Sequence, residues 1–231
     1  MKVGVGAVVD GVPNSLRWRL ERVRERIANA ARSCGREPRD VTLVGVSKKH
    51  SRDEVLASIE AGLTDVAESY VQEAREKLAD LPPVRKHFVG HVQTNKAKAI
   101  VDAFDVVQSI DRLDAGIAIA KAARVAGKPV RTLLQLNISP AERFGVTPED
   151  APALATRLRD QEGLIIDGVM AIAPNTTDRA EIARAFARAA RACAALGGTT
   201  LSLGMSGDLE EAIDCGSTML RIGTAIFGAR T

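Results

Sequence analysis

Short apolar runs and helix-like stretches alternate along this chain almost without interruption, and that alternation restricts the fold more than any other feature. Ser15 is placed to cap a leading helix whose apolar positions Leu16, Leu20, Val23 and Ile27 recur at helical spacing, with Arg and Glu on the other faces. Val41–Val46 then reads as a strand, and Ser51-Arg-Asp-Glu54 as a capping box opening a helix through about Ala61. Further strands are expected at Asp65–Ala67, His87–Val89, Phe104–Gln108, Val130–Leu136, Leu164–Met170, Thr200–Leu203 and Thr218–Ile222. Between them the spacing predicts helices over about Tyr70–Ala79, Thr94–Val101, Arg112–Ala126, Asp178–Leu196 and Asp208–Ile213, and one starting at Thr147-Pro148-Glu-Asp150 with proline in its first turn. Pro82-Pro83 breaks the chain before the third strand, and Gly197-Gly198 stops the Ala/Arg-rich helix.

Strict β–α alternation implies parallel strands joined by helical crossovers. Eight strands, seven intervening helices and a leading helix within about 190 residues fit a single (β/α)8 TIM-type barrel, with an open doubly wound sheet as the alternative. Residues 1–13, Val/Gly-rich and interrupted by Asp10, read as a flexible N-terminus ahead of one barrel domain over residues 14–231. No linker suggests a second domain.

Composition narrows the function. Aromatic residues make up only 3% of the 231, which argues against base-stacking platforms for single-stranded nucleic acid. Net charge is +3, but Arg alternates with Asp and Glu along helical stretches, as on a solvated mixed-charge surface, so no nucleic-acid partner is expected. Cys34, Cys193 and Cys215 are odd in number and widely spaced, which fits free thiols in a reducing compartment. No apolar run approaches the roughly 18 residues of a membrane span. A cytoplasmic location without membrane association is expected.

In such barrels the chemistry lies at the C-terminal ends of the strands, often with a phosphate site after strands seven and eight. Strand seven runs into Gly204-Met-Ser206 and strand eight into Arg221-Ile-Gly-Thr224, two turns rich in the glycine and hydroxyl groups that suit a phosphate. Strand one ends at Ser47-Lys48. A partly desolvated lysine opposite a phosphate cradle suggests a phosphorylated carbonyl compound held as a Schiff base. Pattern alone does not separate Lys48 from Lys49, nor show which way Arg221 points. Gln93 and Asn95 follow strand three and equally suit helix capping. His50, His87 and His91 show no paired metal spacing and read as surface or structural; no metal site is expected. Asp208, Glu210 and Glu211 suit the start of a helix.

Taken together, Val46-Ser-Lys48, Glu68-Ser-Tyr-Val-Gln-Glu73, His87-Phe-Val-Gly90 with Gln93-Thr-Asn-Lys96, Gln135-Leu-Asn-Ile138, Gly168-Val-Met170, Leu201-Ser-Leu-Gly-Met-Ser206 with Asp208, and Gly216–Gly228 resemble the pyridoxal 5′-phosphate (PLP) homeostasis proteins, small relatives of the alanine racemase N-terminal barrel. The resemblance spans about Leu16 to Arg230. It implies a PLP-bearing barrel with the Schiff-base lysine at Lys48, phosphate ligands at Ser206, Gly223 and Thr224, and Arg221 facing the pyridine nitrogen. Its motifs also put Ser69, Asn95 and Met170 among the cofactor-binding residues, and it implies no catalytic residue.

The implied role is holding PLP for vitamin B6 balance, with PLP-dependent apoenzymes as possible partners. A weak PLP-dependent racemase and a cofactor-free Schiff-base aldolase are the alternatives. An arginine at the pyridine nitrogen disfavours its protonation and weakens the electron sink that racemisation needs. The two-domain racemases bring a tyrosine from a second domain, which this chain is expected to lack. Two positions depart from the family pattern: Ser69 replaces an asparagine, and Arg143 stands where relatives often carry lysine.

Overall fold

The computed structural model describes residues 14–139 and 144–229; the N-terminus expected over residues 1–13, and Arg143, lie outside them. Eight parallel strands close into a barrel in sequence order: β1 Thr42–Val46, β2 Asp65–Glu68, β3 Arg85–Phe88, β4 Val106–Ile110, β5 Val130–Leu136, β6 Leu164–Ala171, β7 Thr200–Ser202 and β8 Met219–Ile222. Closure is made by β8 against β1, with Val44 beside Arg221 and Gly45 beside Ile222. The open doubly wound alternative is thereby excluded.

Helix α1, Leu16–Ser33, is capped by Ser15, whose hydroxyl accepts from the Trp18 N–H, and buries Leu20, Val23, Ile27 and Ala31. Helix α2, Arg52–Glu60, opens on the capping box of Ser51 and Glu54, with both reciprocal bonds formed. The remaining helices are α3 Val71–Lys77, α4 Ala97–Ala103, α5 Leu113–Ala126, α6 Ala151–Arg159, α7 Arg179–Ala195, α8 Leu209–Asp214 and α9 Thr224–Phe227.

Several boundaries differ from the sequence expectation for local reasons. The helix expected over Thr94–Val101 is split into a 3-10 turn, Thr94–Lys96, followed by α4. Phe104 closes α4 by donating its N–H to Ile100 O, so β4 starts two residues later than expected. Thr147 makes a side-chain turn by accepting from the Asp150 N–H, which delays α6 to Ala151 and puts Pro152, not Pro148, in its first turn. Helix α9 was not expected, because Thr224-Ala-Ile-Phe227 is too short to show a period.

The main apolar core lies between the helices and the outer face of the barrel, running from Leu20 and Val23 through Phe88, Phe104 and Phe186 to Ile226. Inside the barrel the apolar part is small: Val44, Ala67 and Met219 form a separate cluster. Asp65, His87, Gln108, Ser202 and Arg221 are buried as well. Barrel interiors are ordinarily filled by branched apolar side chains, so this polar lumen is a departure that only full hydrogen bonding can sustain.

Candidate functional site

A cleft of about 310 Å³ opens at the C-terminal ends of the strands. It is lined by Lys48 after β1, Ser69 after β2, Met170 on β6, Ser206 after β7, and Arg221, Gly223 and Thr224 at the end of β8. Seven of the eight residues expected in the site therefore meet there, from five separate parts of the chain. Asn95 does not: it is exposed on the 3-10 turn before α4, beside a different hollow with Arg75, Lys86 and Lys98. The reason is that β3 ends at Phe88 and the chain has already left the barrel mouth when it reaches Gln93.

Lys48 and Lys49 share a tight turn, and the backbone separates them. Lys49 takes a left-handed φ of 65° and is exposed, its N–H donating to Glu73 Oε2, whereas half-buried Lys48 lines the cleft. The turn is anchored from beneath. Ser47 Oγ donates to Glu68 Oε1 at 2.9 Å, and Lys77 Nζ donates to the same oxygen at 2.6 Å and to Ser47 O at 2.8 Å. Glu68 is fully buried and Lys77 nearly so.

The two glycine-containing turns are held together and held to α1. Ser206 Oγ accepts from the Ala225 N–H at 3.4 Å, linking the turn after β7 to the first turn of α9. Arg26 of α1 donates to Ser206 O and pairs with Glu210, while Arg19 donates to Ile226 O at the end of α9. Gly204 has a φ of +92°, and a Cβ there would lie 2.6 Å from Ala212 Cβ, so the bend that presents Ser206 requires glycine. The first N–H groups of α9 have no helical acceptor, and this short helix after strand eight matches the usual phosphate-binding element of such barrels.

Arg221 points into the barrel, which the sequence left open. Its Nη1 donates to Ser202 O and Ser202 Oγ, both at 2.7 Å, and its Nη2 donates to Ala171 O at 2.8 Å. A guanidinium carries five N–H donors. Nε–H and the second Nη2 hydrogen make no bond to the described residues, and Arg221 lines the cleft. Burial pulls its pKa down to about 10, opposed by the Asp208 charge, so the group stays cationic at neutral pH.

His50 is a cleft residue that sequence reasoning assigned to a surface or structural role. It stacks on Phe227 with ring centroids 5.1 Å apart, and its Nδ1 lies 3.1 Å from Glu54 Oε1. Its place two residues beyond Lys48 was the available signal. His87 is structural, fully buried between Asp65 and Gln108. A larger hollow of about 690 Å³ lies at the opposite end of the barrel, but two of its arginines are already engaged: Arg24 with Ala61 O and Gly62 O, and Arg85 with Asp65. Among the described residues no group of three or more His, Cys, Asp or Glu side chains could hold a metal ion.

Residues 19–231 match the model of the alanine racemase N-terminal domain. The pyridoxal phosphate homeostasis protein of Pseudomonas aeruginosa is 42% identical over 216 residues, covering 91% of this chain and 94% of that protein. Its counterpart in Escherichia coli K12 is 36% identical over 232 residues, covering 94% of this chain and 97% of that protein. The structure of PipY of Synechococcus elongatus with PLP bound superposes with a TM-score of 0.82 at 31% identity, covering 93% of this chain and all of that one. With a barrel of this topology and near full-length likeness to these proteins, the chain belongs to the family of the pyridoxal phosphate homeostasis proteins, built on the alanine racemase N-terminal domain.

Proposed function

We propose that this protein binds PLP in the cleft at the barrel mouth, holds it as a Schiff base on Lys48, and serves vitamin B6 homeostasis without efficient catalysis. The observation that carries the reading is the convergence in one cleft of a half-buried lysine, a buried arginine with donors that no described residue takes up, and the paired turns of Ser206 and Thr224. The names of the relatives and the PLP-bound PipY structure support it.

The donor set fits the cofactor. PLP supplies an aldehyde for an amine and a ring that withdraws electrons. Lys48 offers the amine. Ser206, Thr224 and the Gly223 N–H bind the phosphate, and Arg221 donates to the ring nitrogen. Met170 and Ser69 line the same cleft and would help to hold the cofactor, whereas Asn95 does not line it. A guanidinium that remains charged keeps the ring nitrogen unprotonated, which blunts the electron-withdrawing chemistry. The only tyrosine, Tyr70, is half exposed at the start of α3 and does not line the cleft. The mouth suits exchange of PLP with solvent or with PLP-dependent apoenzymes. A cytoplasmic location goes with this reading; no described helix is long and apolar enough to cross a membrane.

Titration with PLP should give a saturable absorption change that Lys48→Ala lacks. The loaded protein, incubated with L- and D-amino acids, should show neither racemisation nor keto-acid formation near the usual enzyme rates of roughly 1–10³ s⁻¹. A catalytic reading would have to use Lys48 with His50, the neighbouring cleft residue able to move a proton. Turnover in that range, lost in His50→Gln, would replace the homeostasis reading.

A further inference from the structure

Arg221 is the head of an unbroken hydrogen-bond chain through the barrel interior. Its Nη1 lies 2.7 Å from Ser202 Oγ, Ser202 Oγ 2.8 Å from Gln108 Oε1, Gln108 Nε2 2.8 Å from His87 Nδ1, and His87 Nε2 2.9 Å from Asp65 Oδ1. Ser202, Gln108 and His87 are 0% exposed, Asp65 4% and Arg221 5%. The link from Ser202 to Gln108 joins β7 to β4, which are not neighbours in the sheet, so the chain crosses the lumen.

With the Gln108 amide oxygen toward Ser202 and its nitrogen toward His87, the direction of every bond follows. A guanidinium only donates, so Ser202 Oγ accepts from it and gives its own hydrogen to Gln108 Oε1. The Gln108 amide nitrogen is then left to donate to His87 Nδ1, and the same nitrogen approaches Met219 Sδ at 3.2 Å. His87 Nδ1 therefore carries a lone pair, its hydrogen sits on Nε2, and that hydrogen meets Asp65. Burial by itself raises the Asp65 pKa, but the bonds from His87 and Thr64, with the Arg85 charge nearby, hold the carboxyl below its ordinary value. With that amide orientation, a donor-only group at one end and an ionised carboxylate at the other leave one consistent arrangement.

We propose that Asp65, His87, Gln108 and Ser202 are positioning residues for Arg221. They commit its Nη1 edge to the barrel and leave Nε–H and the second Nη2 hydrogen for an acceptor in the cleft. On the PLP reading above, on which this rests, that acceptor is the unprotonated ring nitrogen. None of the four lines the cleft, and Asp65 opens β2 at the far end of the barrel. Their effect therefore reaches the ligand only through Arg221.

The test compares the affinity of the full-length protein for PLP and for the carbocyclic analogue in which C–H replaces the ring nitrogen. Gln108→Leu, which cuts the chain at its centre, should weaken PLP about tenfold and change analogue binding by less than about twofold. Equal losses for both ligands, or no loss for PLP, would overturn the positioning role, because a merely structural residue does not distinguish a nitrogen from a carbon. Ser202→Ala gives the same comparison, with the same two outcomes, should Gln108→Leu fail to fold. Asp65→Asn, which keeps an oxygen for His87, should retain more of the PLP preference than Asp65→Ala; equal retention would count against the role of Asp65. A wild-type protein that bound neither ligand would overturn the PLP reading and this proposal together, whereas normal wild-type binding with equal losses would overturn this proposal alone.

Discussion

Replacing Ser206 and Thr224 together with alanine should weaken PLP binding by about 10²–10⁴-fold while leaving unphosphorylated pyridoxal nearly unaffected. Hydrogen bonds to an anion are each worth roughly 1.5–3 kcal/mol, and two hydroxyls are removed. Apart from the long Ala225 N–H bond to Ser206 Oγ, both turns are anchored by groups other than these hydroxyls. Arg26 holds Ser206 O, Arg19 holds the end of α9, and Gly204 sets the bend. The substitutions should thus remove ligand contacts while these anchors keep the turns in place, at the loss of one long bond between them. Ser206 Oγ accepts from the Ala225 N–H, which leaves its own hydrogen for a phosphate oxygen. Isothermal titration with the two ligands decides the matter: equal losses for PLP and pyridoxal would show that these hydroxyls serve the fold alone.

The second large effect is on stability. Lys77→Met should cost about 3–5 kcal/mol, because it leaves the Glu68 carboxylate buried without its cation. Glu68 also accepts from Ser47 Oγ and the Ser69 N–H, and Lys77 also holds Ser47 O, so the turn carrying Lys48 loosens with the pair. Lys98→Met gives the contrast. Its partner is Asp102, the two side chains are 76% and 49% exposed, and such surface pairs are worth less than about 1 kcal/mol. Urea unfolding of both variants measures the difference. A Lys77→Met loss as small as that of Lys98→Met would mean that water reaches Glu68 and that the pair does not support the site.

What could be read before the fold was known follows from where information sits in a chain. The meeting of Lys48, Ser206 and Thr224 in one cleft was legible because barrels put chemistry at strand ends, and residue type at a strand end survives small errors in strand limits. Lys48 and Lys49 were not separable, since the left-handed backbone at Lys49 is a property of the turn and not of either side chain. The inward aim of Arg221 was hidden because β8 is buried on both faces, which erases the alternation that would reveal its phase. Asn95 misled for a related reason: a polar residue after a strand looks the same whether the loop crosses the mouth or leaves it. The Lys77–Glu68 pair joins a helix to a strand and the Arg221–Asp65 chain joins residues from five strands, so neither was accessible to local spacing.

Arg19 and Arg26 make the same point on the surface. In sequence they are two more arginines on the charged face of α1, yet Arg26 holds the backbone of the turn at Ser206 and Arg19 holds the end of the short helix that Thr224 opens. The leading helix therefore bears on the candidate site as well as on the core.

The central claim is that PLP is joined to Lys48. The most direct measurement is borohydride reduction of the PLP-loaded protein followed by peptide mass mapping. A phosphopyridoxyl group on the peptide carrying Lys48, with fragment ions placing it on that residue, is the predicted result. A mark chiefly on Lys49 or on another lysine, or no mark on a protein saturated with PLP, would contradict it.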